Sequence, residues 1–236
     1  MPLIRLNKYL ASQGVASRRQ IDKITIAKRI LINNQLAQLG DKVNPEIDTV
    51  QIDKKIIPPF PSTLVYYALY KPKFVLSSSS DDRGRKTVLD YVPQTPRVFP
   101  VGRLDFESTG LLFLTNDGNF SFRLTHPRFH FPKTYLVSII GRITPDKITQ
   151  FKNGVQLDDG KTAPADVKIL PKKFNQSQLE ITLYQGKKRQ IRRMCSILHL
   201  HVFDLHRQSI GPVNIGDLKP GEYRNLTFEE VNKFLK

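Results

Sequence analysis

The chain has no tryptophan and one cysteine, Cys195, among its 236 residues. A single thiol cannot build a disulfide framework or a thiolate metal cluster, and Cys195, beside Met194 and close to Ile197 and Leu198, reads as a small core residue. The histidines, His126, His130, His199, His201 and His206, form no HExxH or CxxC-type arrangement. His199 and His201 suit solvent-facing positions better than a metal pair, so no metal is expected. No apolar run approaches the length of a membrane span, and the opening MPLIRLNKYL has no signal-peptide core, so the expectation is a soluble, cytoplasmic protein. Gly84-Arg85-Lys86-Thr87 lacks the earlier glycine of a phosphate loop, and Arg85 separates Gly84 from Lys86. With no dinucleotide fingerprint either, no nucleotide cofactor is expected.

Acidic residues are also scarce. Lys and Arg number 37 against 21 Asp and Glu, a formal charge of +16, which points to a polyanionic partner, nucleic acid first and an anionic membrane as the rival. Hydrophobic residues make up 39%, enough for folded cores.

Residues 1–58 read as a small separate unit. Leu6, Tyr9 and Leu10 fall at i, i+3 and i+4, so Arg5 to Gln13 forms an amphipathic helix that Gly14 ends in a left-handed turn. Ser17 with Gln20 makes a capping box for a second helix, with Ile21 and Ile24 apolar and Arg18, Arg19, Lys23 and Lys28 basic. Short strands follow at Arg29 to Asn33 and Thr49 to Ile52, with turns at Asn33-Asn34 and Asp53-Lys54-Lys55. Ten Lys and Arg against five Asp and Glu in residues 1–60 make this unit basic, either as a solvated helix face or as a grip on RNA. Pro58-Pro59-Phe60-Pro61 can neither continue a helix nor donate to a ladder, so 59–63 reads as a proline-rich linker to a second domain, 64–236.

That domain mixes strand and helix patterns without a βαβ repeat, which argues for an α+β fold around a mixed, largely antiparallel sheet. Strand-like runs occur at Leu64 to Tyr70, Leu136 to Ile140, Val167 to Leu170 and Leu179 to Tyr184, and Thr144-Pro145 starts a short helix with Ile148 and Phe151 as its apolar positions. Ser77 to Asp82 is a polar loop of the kind found near substrates.

The most informative stretch is VGRLDFESTGLLFLTNDG, Val101 to Gly118. Leu111 to Thr115 is a buried strand, and Asn116-Asp117-Gly118 predicts a tight hairpin turn. Asp105 thus sits just before a core strand, where a carboxylate needs a cation or hydrogen-bond donors. It is either half of a structural ion pair with Arg103 or part of a site. In GKKRQIRRM, Ile191 and Met194, with Leu198 beyond, have helical spacing. Arg192 and Arg193 therefore lie on a helix, and Lys187, Lys188 and Arg189 in the preceding turn. Cations in a turn suit phosphate, whereas an arginine next to a core-facing Ile191 can turn inward towards a buried carboxylate.

The N-terminal unit, RLNKYLASQGVASRRQIDKITIAKRILINNQLAQLGDKV, resembles the S4 RNA-binding domain, with Lys28 or Arg29 and Asn33-Asn34 where that family usually has Gly and Asn-Gly. From about Leu64 the chain resembles the RsuA-type family of ribosomal RNA pseudouridine synthases in GRLDFESTGLLFLTNDG, HPRFHFPKTYLV, GKKRQIRRM and IGPVNIGDLKPGEYRNLTFEE. The resemblance implies the pseudouridine synthase fold, two α+β halves sharing a sheet with a central cleft. It puts the family's catalytic Asp on Asp105, its aromatic residue on Tyr135, its basic residue on Arg192 and the apolar residue before it on Ile191. Substrate contacts are then expected from Arg103, Lys187, Lys188, Arg189 and Arg193, and RNA contacts of the S4-like unit from Arg5, Lys8, Ser17, Arg18, Arg19, Lys23 and Lys28. The implied reaction isomerises a flipped uridine without a cofactor. Its implied partner is ribosomal RNA or a partly assembled ribosomal subunit, bound by a monomer.

Two other readings are a non-catalytic RNA-binding or ribosome-assembly protein that keeps the fold, and a hydrolase such as a nuclease. Asp105, Tyr135 and Arg192 together argue against the first. The second lacks a suitably spaced second carboxylate or a His/acid pair.

Overall fold

The apolar stripes at the N-terminus become helices Leu6–Ser12 and Arg18–Ile26 in the computed structural model, which describes residues 3–59, 63–173 and 176–236. The proline-rich linker expected at 59–63 falls largely on 60–62, outside the described residues. The chain forms two compact units: one runs to Val65 and includes Gln94–Val98 and Asn116–Gly118, and the other holds Tyr66–Pro93, Phe99–Thr115 and Asn119–Lys236.

In the first unit, Leu6, Tyr9, Leu10 and Ile21 bury against Ile30, Val43 and Val50. Ser17 Oγ accepts a hydrogen bond from Gln20 N at 3.3 Å and caps the second helix. A four-stranded sheet runs in the order Gln35–Leu36, Ile30–Ile32, Val50–Ile52, Lys55–Ile56. Its hairpins turn through two left-handed pairs, Asn33 and Asn34 at φ 50° and 67°, and Asp53 and Lys54 at 48° and 68°.

The second unit is built on a mixed sheet. Its order is Ala165–Lys173, Gln176–Leu183, Lys133–Ile140, His201–Ile210, Thr109–Thr115, Tyr66–Lys71, Tyr223–Asn225. Every pairing along it is antiparallel except that of Thr109–Thr115 with His201–Ile210, a short parallel seam of His206 with Thr109 and Arg207 with Gly110. One core packs helices Pro145–Asn153 and Gln190–Ile197 on the first half of the sheet through Phe151, Ile191 and Met194. The other packs Phe113, Phe120 and Phe234 on the second half. Thr144 Oγ1 accepts from Lys147 N at 3.4 Å, with Pro145 opening its helix.

Asn116-Asp117-Gly118 does not make the expected hairpin. The chain passes instead into helix Gly118–Thr125, which buries Phe120 and Leu124. Both edges of Thr109–Thr115 are already occupied, by Tyr66–Lys71 on one side and by Phe99–Val101 and His201–Ile210 on the other, so a returning strand has no ladder to join. Asn116 serves as a clip, its Oδ1 accepting from Val65 N at 2.9 Å and its Nδ2 donating to Thr63 O at 3.1 Å.

Candidate active site

The site forms where the two halves of the sheet meet. A Cβ on Gly110, whose φ is +113°, would lie 2.2 Å from Arg207 O, so only glycine lets these two strands run side by side. The loop just before Gly110 carries Asp105. Ser108 N donates to Asp105 O at 3.0 Å, and Lys71 Nζ holds Ser108 O and Pro72 O, each at 2.8 Å. Ser77 Oγ donates to Leu104 O at 2.9 Å and accepts from Leu104 N at 3.1 Å. The loop is thus gripped on both sides of the carboxylate.

Two cations face Asp105 Oδ2: Arg192 Nε at 3.8 Å and Arg189 Nη1 at 3.9 Å. The side chain of Asp105 is 24% exposed and that of Arg192 12%. Neither contact is short enough for a hydrogen bond, and Arg192 Nε, though buried, has no such partner. The guanidinium is anchored elsewhere, Nη1 donating to Val202 O at 3.4 Å and Nη2 to Ser108 Oγ at 3.5 Å. The carboxylate is therefore drawn to positive charge while that oxygen stays free of a hydrogen bond from either arginine.

In front of Asp105 opens a cavity of about 410 Å³, within the range of small-ligand sites, roughly 300–1,000 Å³. Its walls include Tyr135 and Lys133 from the opposite half of the sheet, Arg207 at the seam, and Arg103, Lys187, Lys188, Arg189 and Ile191. Most residues nominated in this domain thus share one cavity. Arg192 is outside it, behind Asp105, lining a separate depression with Arg189, Ser196 and His199.

Arg193 also turns away. It pairs with Asp158 and with Asp159, the latter at 2.5 Å, while Lys187 Nζ donates to Asp159 O and Gly160 O, each at 2.9 Å. Arg193 first, then Lys187, hold the Asp159 carboxyl down at about 2. Arg103 and Lys188 are exposed and have no carboxylate partner among the described residues. In the first unit Arg5, Lys8, Arg18, Arg19, Lys23 and Lys28 are exposed, whereas Ser17 is engaged as the helix cap.

Lys71 and Arg207, fully or nearly buried, were not nominated from the sequence. Burial pushes the Lys71 ammonium down to about 8, Asp105 opposing the shift and Arg207 adding to it. Lys133 is likewise lowered to about 8 by burial and by Arg207. Arg207 Nε donates to Leu111 O at 2.7 Å, while its buried Nη2 has no partner. Its alternate neighbours in the sequence, Leu205 and Ser209, form no apolar period, so no signal around it announces the burial that all three share in the sheet.

Among the described residues no helix is long and apolar enough to cross a membrane, and no three His, Cys, Asp or Glu gather as a metal site.

Residues 65–197 match the family model for RNA pseudouridylate synthase, and residues 4–46 that for the S4 domain. The chain is 38% identical to an RNA pseudouridine synthase of Aquifex aeolicus, over 99% of this chain and 94% of that protein. It is 37% identical to the ribosomal large subunit pseudouridine synthase B of Bacillus subtilis, over 97% and 94%. A crystal structure of a pseudouridylate synthase superposes with a TM-score of 0.70 at 29% identity, over 98% of this chain and 99% of that one.

Proposed function

The chain belongs to the RNA pseudouridylate synthase family, and from that premise we propose that it converts a specific uridine of ribosomal RNA to pseudouridine, with Asp105 as the catalytic carboxylate. The observation that carries this reading is Asp105 on the wall of a cavity, with Arg192 behind it and Arg189 beside it, both within 4 Å, and Tyr135 lining the same cavity. The reaction breaks the bond from N1 to C1′, rotates the uracil and rejoins it through C5, releasing the C5 proton. Nothing is oxidised and no group is lost.

Asp105 begins either route to cleavage, by adding to C1′ or by removing a nearby sugar proton, and both need the ionised carboxylate. Arg192 and Arg189 stand beside it as counter-charges. Arg192, outside the cavity, orients Asp105. Tyr135 offers a flat face to the flipped uracil and a hydroxyl that can assist loss of the C5 proton. Ile191 closes the apolar side. Arg103, Lys188 and Arg189 are placed to meet phosphate, and Arg103 to help hold the base out of its helix.

Residues 1–58, with Arg5, Lys8, Arg18, Arg19, Lys23 and Lys28 exposed, would act as the RNA-gripping domain and 64–236 as the catalytic one, in a cytoplasmic monomer working on free ribosomal RNA or a partly assembled subunit. The Bacillus subtilis relative, named for the ribosomal large subunit, supports the choice of RNA. Pseudouridine mapping of ribosomal RNA from cells with and without the gene tests it. One uridine should lose its modification in the deletion strain, and identical maps would refute the reading.

A further inference from the structure

Phe74 occupies a conformation that backbone sterics favour for glycine. Its φ is +62°, in the left-handed region where a bulky side chain is an outlier, and the residue is 64% exposed. Its N–H donates to Phe106 O at 2.7 Å. The two rings meet edge to face, centroids 5.6 Å apart and planes at 60°, with Phe106 itself 39% exposed. Backbone strain and a phenylalanine left in water both work against the stability of the free protein. They coincide at Phe74, which packs against Phe106, the residue that follows Asp105.

Neither ring lines the cavity that holds Asp105 and Tyr135, so the pair is not a seat for the target uracil. It stands outside, beside the loop that must reach the target sugar. With the sugar of a target uridine at Asp105, the nearest further base within reach is that of its chain neighbour. Extruding a uridine strips one face of its neighbour, and an aromatic surface restores stacking whatever the base, because every base has a π-face. Of the cations nearby, Arg103 is exposed on the same loop and faces a polyanion, while Lys73, next to Phe74, is paired with Asp204 at 2.6 Å.

We propose that Phe74 and Phe106 form a stacking platform for the nucleobase flanking the target uridine, selecting RNA in which that neighbour is free to unstack. This rests on the functional reading above. It adds a subsite outside the catalytic cavity, reached through Phe106, which follows Asp105 directly.

Phe74→Gly removes the ring and keeps the left-handed backbone. The probe is a synthetic hairpin carrying the uridine that mapping identifies, with the base on its 5′ or its 3′ side deleted in turn. Removing the stacked base should lower wild-type kcat/KM about tenfold, Phe74→Gly should lose about tenfold on the intact hairpin, and the losses should not add when combined. Phe228→Ala, at a residue 81% exposed at the start of the C-terminal helix Phe228–Leu235, should leave kcat/KM within twofold. If Phe74→Gly melts lower than wild type, Phe74→Asn replaces it, since Asn tolerates this φ. Fully additive losses at both flanks, with wild type active, overturn the platform alone. No conversion of any ribosomal RNA uridine by wild type overturns the functional reading, and the platform with it.

Discussion

Arg192 Nε stands 3.8 Å from Asp105 Oδ2 and, although buried, has no hydrogen-bond partner. A tight pair would spend the carboxylate on structure, and a distant one would leave it unsupported. The observed separation follows from the anchoring of Arg192 on Val202 O and Ser108 Oγ, which belong to the two strands that meet at the seam or to the loop beside it. Arg192→Lys keeps the charge but cannot hold both anchors and Asp105 together. The expected result is a single-turnover rate about a hundredfold lower, with RNA affinity falling far less. An unchanged rate would remove Arg192 from the mechanism.

Gly110 makes that seam possible, because a Cβ there would overlap Arg207 O. Gly110→Ala is therefore predicted to cost about 4 kcal/mol or more, among the largest single-substitution effects. Urea unfolding of the two proteins measures it. A loss under about 1 kcal/mol would show that the strands can part without harm.

Lys71 gives a pH signature. Its ammonium titrates at about 8 in the folded protein against 10.5 ordinarily, so between those values the unfolded chain holds more protons and stability rises with pH. Below about 8 both states are charged and the slope disappears. Lys133 titrates in the same window, so Lys71→Met should halve this part of the slope. Denaturant titrations at pH 7.5, 8.5 and 9.5, as assay conditions, give the difference between the two proteins. Parallel curves would contradict the assignment.

Asp158 and Asp159 occupy Arg193 and Lys187. Replacing both by Asn releases Arg193 from its carboxylates and strips the charged partner from Lys187, which lines the cavity and keeps its bonds to Asp159 O and Gly160 O. RNA binding should tighten at low salt, and the plot of log Kd against log salt should steepen by about one to two units. An unchanged slope would mean that these cations do not face RNA.

What was legible in the sequence was local. Ser17 before Gln20 and Thr144 before Pro145 announce helix starts through bonds spanning three residues, and both caps form. The inward turn of Arg192 was readable because Ile191 and Met194 fix which face of the helix is buried. The hairpin expected at Asn116-Asp117-Gly118 failed because the occupied edges of Thr109–Thr115 belong to strands distant in sequence. Lys71 and Arg207 are charged residues whose burial depends on the assembled sheet, so no short pattern around either one declares it. Lys187 and Arg193 read as free cations until the Gln156–Leu157 and Gly160–Lys161 hairpin brought its acidic turn against them.

The most direct test is tritium release from ribosomal RNA labelled at uridine C5, comparing wild type with Asp105→Asn. Wild type should release tritium in proportion to the pseudouridine formed. Asp105→Asn should fold, bind the same RNA and release at least about a thousandfold less. Release by Asp105→Asn at the wild-type rate would contradict the account at its centre.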